Sequence, residues 1–123
     1  MKTPKILLVD DDVKLTELTR TLLQRLGGFD TCVENRSFAA LATARTYRPD
    51  LILLDVDMPG KDGGDVAAEL AADPDLRWTP IIFLSSLISE GDACTRNGVR
   101  YLSKPVKPPV LVEAVRSALG IAA

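Results

Sequence analysis

The stretch Pro49-Asp50-Leu51-Ile52-Leu53-Leu54-Asp55-Val56-Asp57-Met58-Pro59-Gly60-Lys61-Asp62-Gly63 decides the fold. Leu51 to Leu54 is a continuous apolar run, too short for a core helix and bounded by polar residues. Such a run reads as a strand buried on both faces, the strand type of a parallel sheet. It stops at Asp55, and Met58 to Gly64 is loop by composition. The same design recurs on either side. Lys5-Ile6-Leu7-Leu8-Val9 stops at Asp10-Asp11-Asp12. Ile81-Ile82-Phe83-Leu84 stops at Ser85-Ser86, and Val99 to Ser103 stops at Lys104-Pro105. Thr31-Cys32-Val33 marks a weaker strand between the first and the third.

Helical patterns fill the intervals. Leu15, Leu18, Leu22 and Leu26 recur at helical spacing before Gly27-Gly28. Ser37 is the expected N-cap of a helix with Phe38, Leu41 and Ala42 on one face. Val66 to Ala72 is Ala- and Leu-rich and is closed by Asp73-Pro74. Leu111, Ala114, Val115, Ala118 and Leu119 follow the core-facing pattern, and Gly120 is the expected stop. Ser86 to Gly98 is the weakest segment, rich in modest or poor helix formers such as Gly91, Ser89, Asp92, Thr95 and Asn97. A short or frayed fourth helix is expected there. The sum is (βα)5: one α/β domain over residues 1–123, with helices on both faces of a parallel sheet.

Composition narrows the function. The chain has 123 residues, 46% hydrophobic and 26% charged, as in an ordinary globular protein. With 15 basic and 17 acidic residues the net charge is −2, which argues against a nucleic-acid module working by bulk electrostatics. No apolar run approaches a membrane span, and no signal peptide is expected before the first strand. Cys32 and Cys94 make no disulfide framework, so a cytoplasmic location is expected. Histidine is absent, which excludes a Ser–His or Cys–His unit, a His-ligated metal and a phosphohistidine on this chain.

The remaining chemistry sits at strand ends, and in an open parallel sheet those ends share one rim. Asp10, Asp11 and Asp12 end the first strand, Asp55 the third, Ser85 and Ser86 the fourth, and Lys104 the fifth. Each has an ordinary reading when taken alone. Asp10 to Asp12 can cap the following helix, Asp55 can be a turn residue, Ser85-Ser86 a loop start, and Lys104 a solvated lysine. Convergence of all four groups favours a site. Clustered carboxylates repel one another unless a cation joins them. An oxygen-only, partly hydrated set suits Mg²⁺, with Mn²⁺ as its substitute. Beside it, a lysine and a serine hydroxyl supply charge and a donor for a phosphoryl group, and a carboxylate is a competent covalent acceptor. Asp55 is the candidate.

These residues resemble the receiver domains of two-component response regulators over essentially the whole chain. The motifs that carry the resemblance are Ile6 to Asp12, Pro49 to Gly63, Pro80 to Ser86, and Tyr101-Leu102-Ser103-Lys104-Pro105. It implies a flavodoxin-like three-layer sandwich with strand order 2-1-3-4-5. It also implies that Asp55 accepts a phosphoryl group from the phosphohistidine of a sensor histidine kinase or a histidine phosphotransfer protein. Asp10 and Asp11 would hold Mg²⁺ together with Asp55 and the backbone carbonyl of Asp57. Ser85 would be the switch hydroxyl, and Lys104 would pair with the phosphoryl group, aimed by a cis bond before Pro105. Tyr101 would swing inward as Ser85 moves and change a surface read by a downstream protein.

The resemblance has departures. Asp57 places an extra carboxylate beside the acceptor, where it would alter phosphate lifetime. The stretch from Ser85 to Lys104 is shorter than is usual in the family, which touches the output face. No effector domain is expected after Gly120, so the likeness is to single-domain regulators. Among rivals, Leu54-Asp55-Val56-Asp57 also resembles the Asp-x-Asp of haloacid-dehalogenase-type phosphatases, but that motif belongs on their first strand. A flavin or nucleotide binder lacks its phosphate loop here. An intermediate phosphate carrier in a relay would use the same residues, and a scaffold receiver would not need them. Trp78 reads as a surface aromatic or loop anchor, and Arg96, Arg100, Lys104 and Lys107 as a solvated basic face or a dock for an acidic partner.

Overall fold

The computed structural model describes residues 3–87 and 93–121. Six strands form one sheet: β1 (Lys5–Val9), β2 (Asp30–Glu34), β3 (Leu51–Asp55), β4 (Ile81–Ser85), β5 (Ala93–Arg96) and β6 (Val99–Ser103). Their order is β2-β1-β3-β4-β6-β5. All pairs are parallel except β5 with β6. The helices are α1 (Val13–Leu22), α2 (Ala40–Tyr47), α3 (Gly63–Ala72) and α4 (Pro108–Leu119). The expected 2-1-3-4-5 order therefore stands, with β6 as its fifth strand and β5 added at the edge.

The apolar runs alternate between two cores, which is why they read as continuous. Ile6, Leu8, Leu51, Leu53, Ile82, Leu84 and Leu102 pack with Leu23, Leu111 and Val115 on one face. Leu7, Val9, Ile52 and Leu54 pack with Ala40, Ala44, Val66 and Leu70 on the other. Leu51 to Leu54 are fully buried. Covering both faces removes water from every strand end except at the rim, so the rim is where polar groups collect.

The expected fourth helix is corrected. Ala93–Arg96 is a strand antiparallel to β6, and Ser86 and Leu87 are not helical; residues 88–92 of that expectation lie outside the described residues. Arg96 pairs with Val99 across Asn97-Gly98, which have φ of 52° and 77°. Positive φ at both central residues is the demand of a tight two-residue hairpin, and Asn-Gly meets it at least cost. Local turn chemistry thus overrides a weak helical pattern.

Smaller expectations also shift. Ser37 is not the N-cap but the buried first residue of a 3₁₀ turn, Ser37–Ala39, that leads into α2. Phe38 points to solvent, while Ala40 and Ala44 face the sheet, because small residues let α2 approach β1 closely. In α1 the buried residue is Thr16, followed by Leu23 in the wider π turn Leu23–Gly27; Leu18 and Leu26 are exposed. Gly63 and Gly64 begin α3 rather than ending a loop. Asp62 caps them: its side chain accepts from the Asp65 N–H, and the Asp65 side chain accepts from the Asp62 N–H. Gly120 caps α4 in the left-handed conformation as expected.

Candidate functional site

The carboxyl ends of β1, β3 and β6 bring together residues far apart in sequence. Lys104 Nζ donates to Asp55 Oδ1 at 2.8 Å and to Asp10 Oδ2 at 3.0 Å. Carboxylate oxygens of Asp10, Asp11 and Asp55 lie within 4.8 Å of one another. Asp10 and Asp55 are buried, whereas Asp11 is exposed. The cluster is therefore a cleft with two walled carboxylates and one open to water.

The three aspartates after β1 divide their roles. Asp12 is the N-cap of α1, its side chain accepting from the Leu15 N–H. Capping, the ordinary reading, thus holds for Asp12, while Asp10 and Asp11 turn into the cleft. The Asp12 N–H donates to Asp10 Oδ1, so both Asp10 oxygens are held.

Asp55 is held on one side only. Its Oδ1 accepts from Lys104 and, at 3.4 Å, from the Asp57 N–H. Its Oδ2 takes no hydrogen bond from a described residue. Burial pushes the Asp55 carboxyl above the ordinary carboxylate range; the Lys104 bond opposes this and the Asp10 charge adds to it. Burial also works against the Lys104 ammonium, but its bonds to Asp55 and Asp10 outweigh that, and its pKa is raised.

Asp57 is exposed, and its backbone N–H steadies Asp55. Ser85 is buried at the end of β4, and its Oγ accepts from the Leu87 N–H at 3.1 Å. Tyr101 sits opposite Phe83 on the next strand, with ring centroids 5.5 Å apart and planes 26° apart. The bond between Lys104 and Pro105 is cis. Lys104 is thus in direct contact with Asp10 and Asp55, and Asp11 brings a third carboxylate within 4.8 Å of theirs. Neither Ser85 nor Tyr101 bonds to the carboxylates; Ser85 ends β4, and Tyr101 stacks on Phe83.

Three residues that position the site were not singled out by sequence reasoning. Asn35 Nδ2 donates to the Asp10 backbone carbonyl at 2.7 Å and to Thr16 Oγ1 at 3.0 Å. The Thr16 hydroxyl in turn donates to the Val13 carbonyl, which ties the acidic turn to α1 and sets the roll of that helix. A lone asparagine after a strand carries no sequence signal for this. Gly63 is the third. Its N–H donates to the Val56 carbonyl, and a Cβ there would lie 2.5 Å from the Asp55 carbonyl oxygen. The loop after Asp55 closes only because that position has no side chain.

An open parallel α/β sheet with an acidic cleft and one lysine at its switch point defines a class of phosphate- and cation-handling sites. The comparisons carry this to a family. Residues 6–116 match the family model of the response regulator receiver domain, and the chain belongs to that family. It is 41% identical over 118 residues to the DNA-binding response regulator MtrA of Mycolicibacterium paratuberculosis, covering 94% of this chain and 51% of the relative. The chain thus spans about half the length of the MtrA relatives it matches. It is 33% identical to the polar-differentiation response regulator DivK of Brucella anthropi, covering 94% of this chain and 95% of that one. Among solved structures it resembles the receiver domain of the sensor histidine kinase PA1611 of Pseudomonas aeruginosa, described with magnesium coordinated in its active site cleft. That match has a TM-score of 0.83 and 30% identity, covering 97% of this chain and 99% of the other. Receiver domains are phosphorylation-activated signalling switches, and nothing in these comparisons supports a haloacid-dehalogenase-type phosphatase. Among the described residues no helix is long and apolar enough to cross a membrane.

Proposed function

We propose that Asp55 is the phosphoryl acceptor of this receiver domain and that residues 1–123 act as one signalling unit. The observation that carries the reading is the inequivalence of the Asp55 oxygens. Oδ1 is pinned by Lys104 and the Asp57 N–H, whereas Oδ2 has no hydrogen bond from a described residue. Oδ2 is the nucleophile. It forms the new P–O bond as the P–N bond of a donor phosphohistidine breaks, and the electron pair of that bond stays on the imidazole nitrogen. Lys104, bonded to Oδ1 of the same carboxylate, would stabilise the charge that develops on the equatorial oxygens.

The donor set fits a hard divalent cation. Asp10, Asp11 and Asp55 offer oxygens alone, and exposed Asp11 leaves the open side for water. Mg²⁺, or Mn²⁺ in its place, would be held there with the Asp57 carbonyl and would offset phosphoryl charge. The kinase or phosphotransfer protein that supplies the imidazole meets an apolar rim. Val13, next to the acidic turn, is 58% exposed, and Leu87, beyond Ser85, is 84% exposed.

Ser85 gives up its bond from Leu87 to reach the phosphoryl oxygen, gaining a charge-assisted bond. Tyr101 then leaves its stack on Phe83 and moves toward the space Ser85 vacates. Cys94 of β5 pairs with Tyr101, so the message passes to the β5–β6 hairpin and is read there by a protein. The test is incubation with Mg²⁺ and acetyl phosphate. One acid-stable, base-labile phosphate per chain is expected, absent in Asp55→Asn. No incorporation, or incorporation that survives Asp55→Asn, overturns the reading.

A further inference from the structure

The edge strand β5 carries information of its own. A two-residue turn places its flanking pair, Arg96 and Val99, in the closely hydrogen-bonded position. Alternation makes Cys94 and Tyr101 the next such pair. The N–H and C=O groups of Ala93 and Thr95 therefore point away from β6, toward the open edge. Among the described residues nothing bonds to them. They form two donor–acceptor sets spaced for one more strand.

Behind this edge lies a groove of about 420 Å³ between the sheet and α4. Ala93 and Thr95 open onto it, with Ile82 on its floor and Val110 and Ala114 on its helical wall. Arg100, opposite Thr95 in register, also lines it. Arg100 is half-buried, and its guanidinium makes no hydrogen bond or ion pair with a described residue. Charged groups in such places are ordinarily paired, and a guanidinium matches a carboxylate in fork geometry. Exposed Glu113 on α4 lines the same groove and disfavours a second acid along that wall.

We propose that the open edge of β5 and the groove behind it receive an extended segment of a partner protein, which adds as a strand to β5, sends alternate apolar side chains into the groove and sets one carboxylate on Arg100. A second copy of this chain is the poorer occupant. Its own Ala93-Cys94-Thr95-Arg96 edge holds no acid and would bring further arginine to Arg100. Main-chain bonds supply affinity in this mode, while the groove and Arg100 supply selectivity. The inference stands on the edge and the groove and does not depend on Asp55 being the acceptor.

The experiment is selection of a display library of random peptides of about eight residues, long enough to pair along one strand, on the unphosphorylated protein. Backbone amide shifts with a selected peptide then map the contact. Enriched peptides are expected to alternate apolar and polar residues and to carry one acid. Shifts are expected at Ala93, Thr95, Arg100 and Val110. Arg100→Met is expected to weaken the acidic peptide ~10-fold or more, in line with a charge-assisted bond, and to leave its amide analogue unchanged. N-methylation of the peptide amides that face β5 is expected to abolish binding, which tests the strand mode without altering the protein; N-methylation of the alternate amides leaves it intact. No enrichment, shifts elsewhere, or indifference to N-methylation overturns the proposal. So does concentration-dependent self-association with shifts confined to β5, which would assign the edge to a second copy.

Discussion

Replacing Lys104 with methionine removes the one ammonium that joins Asp10 to Asp55. The carboxylates left behind are 1% and 4% exposed, and the ammonium lies 3.0 and 2.8 Å from them. Removing one member of a buried pair typically costs ~3–5 kcal/mol, because the other charge stays buried without a partner. Here the Lys104 side chain is 19% exposed and Asp11 opens the cleft to water, so relief by solvent is greater. A loss of ~2–4 kcal/mol at pH 7 without divalent cation is expected, or roughly 10 °C in Tm for a domain of this size. The loss depends on pH in a stated sense. Burial already raises the Asp55 pKa, and loss of the lysine raises it further. A carboxyl whose folded pKa lies above its unfolded value of ~3.9 costs no stability below that value. The cost grows as pH rises from there and levels off above the folded pKa. The Lys104→Met deficit should therefore be small near pH 4 and larger at pH 7, and excess Mg²⁺ at pH 7 should restore part of it. Thermal unfolding of both proteins across that range checks this. A deficit below about 1 kcal/mol at pH 7, or one equal at pH 4 and pH 7, would refute the reasoning.

Gly63→Ala places a Cβ 2.5 Å from the Asp55 carbonyl oxygen and 2.9 Å from Val56 Cα, both backbone atoms that cannot step aside. It should cost ~1–3 kcal/mol in denaturant unfolding and slow phosphate incorporation by moving Asp55; unchanged stability would contradict the close approach. Gly98→Ala meets no neighbour within 4 Å, so its penalty is the left-handed backbone alone, ~1–2 kcal/mol. It should appear as faster amide exchange in residues 93–103 with the strands β1 and β3 unaffected. The Arg45 bond to Asp73, supported by the Asp75 N–H, holds the Asp73 carboxyl below its ordinary value. That stability is present above the unfolded pKa and is lost as pH falls through the lower folded value. Asp73→Asn should thus be less stable than wild type at pH 7, with the gap closing under acid, as read from Tm against pH.

Sequence patterning carried the strands and the site because both rest on simple signals. Leu51 to Leu54 and its counterparts are apolar without interruption since two cores claim alternate side chains. Asp10, Asp11 and Asp55 are the first polar residues after such runs, Lys104 follows the end of β6, and parallel topology does the gathering. Helix faces were harder to read. Leucine spacing in α1 pointed to Leu18 and Leu26, yet the roll of the helix follows the Asn35–Thr16 bond, a tertiary contact with no local pattern. The fourth helix failed for the opposite reason. Asn97-Gly98 is a strong local turn signal, and it lies inside Ser86 to Gly98, where the alternation of strands and helices alone suggested a helix. Ser37 looked like a cap because of its residue type, and the 3₁₀ turn ahead of α2 removed that role.

The tie from Lys104 to Asp10 and Asp55 spans 94 and 49 residues of chain. During synthesis the three carboxylates of the cleft emerge first and the ammonium last. A chain halted between residues 55 and 104 would hold the three acids without the ammonium that neutralises them. Nor would it have the cation on Asp55 Oδ1 that leaves Oδ2 as the free oxygen. On the proposed reading of Asp55 as the acceptor, competence to take up phosphate is thereby deferred until Lys104 has docked against Asp10 and Asp55.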